Sequence, residues 1–224
     1  MRAMRKTAIW VGALFIATTF TYSIGDGILQ ELFLSPNFPL GVSDRTTAIV
    51  IAVLLQLLCG LGVVGIAVLM YPIFNTENIK IAIWYVGIRS IKCAIIAING
   101  VHMLTLSAIG KSQIENVDTL TTLGAMIIAD YHGSFIFLAL VLAFGALAFY
   151  YGLFKMALVP KFIPIWGIIA VVLMGIGLVM EALGYSRNIG FYLPMGLNEL
   201  FLSFWLLVKG FASSEILTEN NQNR

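Results

Sequence analysis

The sequence predicts an all-α fold, a polytopic membrane helix bundle of six transmembrane helices forming one integral domain over residues 1–224, with both termini cytoplasmic. Two observations carry this. Of the 224 residues, 60% are hydrophobic and only 11% charged, and the mean hydropathy is +0.96, far outside soluble globular values. The apolar residues also fall into six runs, each about as long as the ~20 residues a helix needs to cross a bilayer. The net charge of +2 and the lack of any Lys/Arg cluster interleaved with aromatics imply no nucleic-acid partner. Membrane lipids are the expected surroundings.

The predicted helices cover about 7–24, 46–71, 81–107, 123–151, 165–184 and 191–211. The first follows a basic start (Arg2, Arg5, Lys6) and is expected to remain as an uncleaved helix, because its apolar core is longer than that of a signal peptide. Gly25–Asp44, with Pro36, Pro39 and Gly41, reads as a polar connection in which Gly27–Leu34 forms a short interfacial helix and Asp26 and Glu31 lie at headgroup level. Ser43 or Asp44 is a suitable N-cap for the second helix, and Pro72 its stop. Gly60, Gly62 and Gly65 give that helix a small-residue face. After a turn at Asn75–Asn78 comes the third helix, and after a polar loop at Gly110–Thr122 the fourth. Pro160 and Pro164 mark the turn into the fifth, Tyr185–Gly190 the turn into the sixth, and a polar tail follows. Cys59 and Cys93 lie deep in apolar runs and act as small hydrophobes.

Orientation follows the asymmetry of Lys and Arg in short loops. With the N-terminus inside, the cytoplasmic segments hold Arg2, Arg5, Lys6, Lys80, Lys155, Lys161, Lys209 and Arg224, and the outer ones only Arg45, Lys111 and Arg187.

The third helix is the unusual one, since its apolar run carries Arg89, Lys92, Asn99 and His102. At 100° per residue, Arg89, Lys92 and Asn99 share an arc of roughly 80°. A charge near the bilayer centre costs from about 2.5 to more than 10 kcal/mol, so such a stripe faces protein or water unless the side chains snorkel to the interface. Counting depth along each helix puts Gln56, Lys92, Asn198 and Glu199 near the midplane, with Glu199 the expected counter-ion of Arg89 and Lys92. Asp130, His132, His102 and Glu181 fall in the outer half. This predicts a buried polar centre that binds or moves a small polar or amphiphilic ligand. Two other readings stay open: the polar groups staple helices in a structural or signalling partner, or His102 and His132 hold haem or a metal in a membrane enzyme. Asp130 and His132 lie about 200° apart on their helix, which argues against joint metal ligation. No nucleophile motif, phosphate-binding glycine motif or cofactor signature is present, so no catalytic residue and no cofactor are assigned.

The segments VVGIAVLMYPIF, YVGIR, YYGLFKMALVPKFIPIWGIIA and LPMGLNELFLSFWLLVKGF, in this order, resemble an uncharacterised bacterial family of six-helix membrane proteins, domain of unknown function 4386. The resemblance spans about Arg5 to Phe211. It implies the fold and a membrane location but brings no activity to transfer. It also implies that Arg89 and Glu199 occupy charged positions of the family, with Lys92 standing where many members carry Glu.

Overall fold

The structure is a computed structural model and describes residues 2–35, 38, 40–111 and 117–212. The expected turn residues Pro36 and Pro39, Glu115 in the predicted polar loop, and the tail from Ser213 onward lie outside them. Among the described residues there are six long helices and no strand: α1 Arg2–Phe33, α2 Thr46–Glu77, α3 Ile79–Lys111, α4 Val117–Lys155, α5 Phe162–Ala182 and α6 Leu193–Val208. Each of the six, α6 together with the 3₁₀ turn Ile189–Phe191 before it, is long and apolar enough to cross a membrane. The chain is thus a six-helix membrane protein. By compactness it falls into two units. The first comprises 1–16, 63–91 and 139–224, and the second 17–62 and 92–138.

Several helices outrun their sequence boundaries, and the reasons are local. α1 does not end at Ile24 but runs unbroken to Phe33, so Gly27–Leu34 is its last part rather than a separate interfacial helix. Gly25, Leu29 and Leu32 recur at helical spacing and are buried, and Leu29 and Leu32 join Val42, Ile49, Met103 and Tyr131 in one apolar cluster. Gln30 and Glu31 lie off this inner face and give the segment the composition of a connection, while Asp26 is drawn in to bond Tyr131.

Pro72 does not stop α2, which continues to Glu77 with the proline inside it. Proline removes one backbone donor, but the turn beyond it carries Ile73 and Phe74, both buried, and their packing holds the helix together. The expected caps Ser43 and Asp44 lie instead in a 3₁₀ turn, Leu40–Arg45. Thr46, at the start of α2, donates its hydroxyl back to the Ser43 carbonyl at 2.9 Å. Between α2 and α3 a single residue suffices. Asn78 donates its N–H to the Phe74 carbonyl, accepts from Ile81 with its own carbonyl, and caps α3 by accepting the Lys80 N–H on Oδ1 at 2.9 Å.

The first unit is packed around aromatic rings. Tyr85 stacks on Phe149 with centroids 5.5 Å apart, Phe74 meets both rings edge-on, and Phe15 and Tyr150 close on Phe149 at 5.4 and 5.5 Å. Such edge-to-face and offset contacts add about 0.5–1.5 kcal/mol each beyond area burial in water-soluble proteins. Tyr150 in turn seats against the backbone of α5 at Gly167, where a Cβ would come within 2.5 Å of the ring. α6 is closed by α1: the Arg5 guanidinium donates to the carbonyls of Leu207 and Val208 at 3.1 and 2.9 Å, satisfying acceptors that a helix end leaves open.

In the second unit α1 and α2 approach closely at Gly25, where a Cβ would lie 2.9 Å from the Ala52 carbonyl oxygen and 3.1 Å from Gln56 Cγ. Gly60 faces Cys93 in the same unit, consistent with the small-residue face expected of α2.

These contacts predict opposite results for two glycines of α5. Gly167→Ala should lower the melting temperature in detergent, because overpacking costs about 1–3 kcal/mol. Gly175→Ala meets nothing within 4 Å and should leave it unchanged or raise it, since alanine is favoured over glycine in a helix by about 0.5–1 kcal/mol. Equal effects of the two would contradict the placement of Tyr150.

Candidate functional site

In the first unit the polar chemistry gathers at the aromatic cluster. Arg89 follows Tyr85 by one helical turn, so both project from the same face of α3. The guanidinium carbon lies 5.1 Å from the centre of the Tyr85 ring, a cation–π contact. Arg89 is only 2% exposed. Among the described residues no carboxylate oxygen comes within 4.0 Å of it, and its Nε and the Tyr85 hydroxyl are both buried without a hydrogen-bond partner. Glu199 is half-buried on α6, and among the described residues the direct ion pair with Arg89 expected from helical depth does not form. Its neighbour Asn198 has a separate task. Its Nδ2 donates to the Ile163 carbonyl at 3.0 Å, tying α6 to the first turn of α5, while its Oδ1 is left unpaired.

The second unit holds a different arrangement. Gln56 of α2 donates from Nε2 to the Tyr131 hydroxyl at 2.9 Å, and that hydroxyl donates to Asp26 Oδ1 at 2.6 Å. Three helices are thereby joined through one tyrosine oxygen. Because Gln56 fills the acceptor side of the hydroxyl, its proton is directed to Asp26, an orientation typical of a satisfied buried chain. Gln56 was expected at a polar centre. Tyr131 was not, although it lies between Asp130 and His132, and Asp26 was expected at headgroup level rather than in this chain.

The remaining predicted residues are dispersed. Lys92 and Asn99 are buried on the part of α3 that belongs to the second unit, and Asn99 Oδ1 has no hydrogen-bond partner. His102 Nδ1 and Asp130 Oδ2 are 3.6 Å apart, beyond hydrogen-bond length. His132 lies against the rings of Tyr131 and Phe33. Glu181 sits at the end of α5, where it takes a bidentate contact from Arg187 at 2.7 and 3.1 Å and a hydrogen bond from the Tyr192 hydroxyl at 2.7 Å. It is a clamp on the α5–α6 connection, not a member of a central site. Among the described residues no three His, Cys, Asp or Glu side chains are grouped so as to hold a metal ion.

A family model matches residues 10–210 of the chain. The protein is a member of DUF4386, a domain of unknown function. In this DUF4386 chain the matched region includes all the polar groups just described. No curated protein and no solved structure matches it.

The tyrosine bridge in the second unit makes a coupling prediction. Intramembrane hydrogen bonds average about 0.6 kcal/mol in double-mutant cycles, so a cycle of Gln56→Leu and Tyr131→Phe, measured by denaturant unfolding in mixed micelles, should give a coupling of about 0.5–1.5 kcal/mol. Strict additivity would mean that the two side chains do not bond.

Proposed function

We propose that this DUF4386 protein binds a small amphiphile whose acceptor-bearing head, a carboxylate, phosphate or carbonyl group, is received by Arg89 and Tyr85. The observation that carries this reading is the pair of unpartnered buried donors. Arg89 and Tyr85 are almost fully enclosed, and neither Nε of one nor the hydroxyl of the other completes a hydrogen bond of good geometry, although the two side chains lie against each other. A buried cation without a direct counter-ion costs stability, and helix stapling alone would favour a paired geometry such as the Gln56–Tyr131–Asp26 chain. The surrounding rings of Phe74, Phe149 and Tyr150 suit an apolar body. Glu199 discourages a ligand of high negative charge and favours a small head with one or two acceptors. The hydrogen-bonded Gln56–Tyr131–Asp26 chain in the second unit supports the structural reading for that part of the protein, where it joins α1, α2 and α4.

If Arg89 is kept for binding, its removal should not destabilise the empty protein. Arg89→Gln purified in mild detergent should melt at or above the parent, as expected where function is maintained against stability. A panel of decanoate, glycerol phosphate, inorganic phosphate and acetamide should include at least one compound that raises the parent's melting temperature and leaves that of Arg89→Gln unmoved. A marked loss of stability in Arg89→Gln, with no compound shifting the parent, would make Arg89 a structural residue.

The membrane orientation is proposed on the Lys and Arg asymmetry, with the termini and Asn78 on the cytoplasmic side of a bacterial inner membrane. In a background lacking Cys59 and Cys93, a cysteine replacing Asn188 should react with an impermeant maleimide added to intact cells, and one replacing Asn75 should not. The opposite pattern would invert the topology.

A further inference from the structure

A second site, separate from the buried donors, lies within the first unit between the first turns of α3 and the last turns of α4. It is an open groove of about 510 Å³ whose walls include Lys80 and Trp84 from α3 and Phe144, Leu147, Ala148 and Tyr151 from α4. The groove has a direction. The two helices run antiparallel here, since Gly145 of α4 abuts Ile88 of α3, which places Lys80 and Tyr151 together at the end where α3 starts. Phe144 lies about two helical turns deeper, roughly 10–13 Å along the axis at 1.5 Å per residue. The polar end coincides with the ends of two membrane-crossing helices, and the apolar end points into the hydrocarbon layer.

The charges around the mouth favour one class of occupant. Glu77, the nearest acidic residue in sequence, is engaged by Lys155 at 2.7 Å. Among the described residues the Lys80 ammonium has no carboxylate within 4.0 Å. The groove mouth therefore offers a free cation flanked by an indole and a phenol, both substantially exposed, which are the side chains that prefer the headgroup region. We propose that this groove is a binding site for an anionic phospholipid, its phosphate on Lys80 between Trp84 and Tyr151 and one acyl chain lying over Ala148, Leu147 and Phe144. A zwitterionic lipid would fit the apolar half equally well, so Lys80 is the residue that sets the preference for a net negative head. One Lys near a membrane surface contributes roughly a fivefold preference for anionic over neutral lipid.

The test uses the full chain reconstituted in vesicles, with Trp84 as the reporter after Trp10, Trp166 and Trp205 are replaced by Phe. Phosphatidylglycerol and phosphatidylcholine carrying the same dibrominated acyl chains quench an indole only on contact. Brominated phosphatidylglycerol should quench Trp84 with an apparent affinity about fivefold above that of the choline lipid, and Lys80→Gln should bring that ratio to about one. Lys80 is an exposed first-turn residue, so an unchanged melting temperature and helical circular dichroism would show the variant to be folded. If the variant is not folded, Lys80→Arg should retain the preference and serves in its place. Equal quenching by the two lipids in the parent would overturn the proposal, as would a preference that survives Lys80→Gln. Protection of Trp84 from both lipids would overturn it too, by indicating that a second copy of the chain covers the groove.

Discussion

A guanidinium enclosed in an apolar helix is the constraint to which the first unit answers. Arg89 cannot be neutralised by losing its proton, because arginine stays charged under all ordinary conditions, so the protein around it must supply solvation. It does so with an aromatic face rather than a carboxylate. Tyr85 lies beneath the guanidinium, Phe149 and Phe74 hold Tyr85 in place, and Gly167 on α5 makes room for Tyr150 at the edge of the same cluster. These residues come from α2, α3, α4 and α5, so the packing of four helices serves to accommodate one charge.

The second unit solves the complementary problem by pairing. Gln56, Tyr131 and Asp26 hand donors to acceptors in sequence, and the close approach of α1 to α2 at Gly25 brings the carboxylate within reach. The Arg89–Tyr85 pair is thus left with open valences, as are Asn99 Oδ1 and His102 Nδ1 in the second unit, whereas the Gln56–Tyr131–Asp26 chain is bonded from end to end.

The number and kind of helices were legible from hydropathy because a bilayer crossing demands a long apolar run whatever its partners. Arg89, Gln56 and Glu199 were legible because polar groups in such runs are conspicuous. Boundaries were less so, as at Pro72 and Gly25–Phe33, where tertiary burial of Phe74, Leu29 and Leu32 overrides local signals. The direct Arg89–Glu199 pair expected from depth does not form, because depth fixes only one coordinate and says nothing about rotation around each helix or about aromatic rings as alternative partners. The spacing Tyr85 to Arg89, four residues apart on one helix, was the available clue. Tyr131 was hidden for a related reason, since a tyrosine reads as apolar in a hydropathy profile until something bonds its hydroxyl. Glu181 shows how local the determinants can be, since Arg187 and Tyr192, both within eleven residues along the chain, bond its carboxylate.

Asn78 matters also for what it denies the protein. A residue that ends one helix of 32 residues and starts another of 33 leaves no slack between them. The pair behaves mechanically as one bent rod: neither α2 nor α3 can slide along its axis, or rotate about it, without dragging the other across the hinge. Lengthening that corner by even one residue would turn every side chain downstream on α3 by about 100°, carrying Tyr85 and Arg89 off the aromatic face together. In the history of such a chain this corner is therefore a poor place for insertions, and during synthesis the two segments are suited to entering the bilayer as a single hairpin.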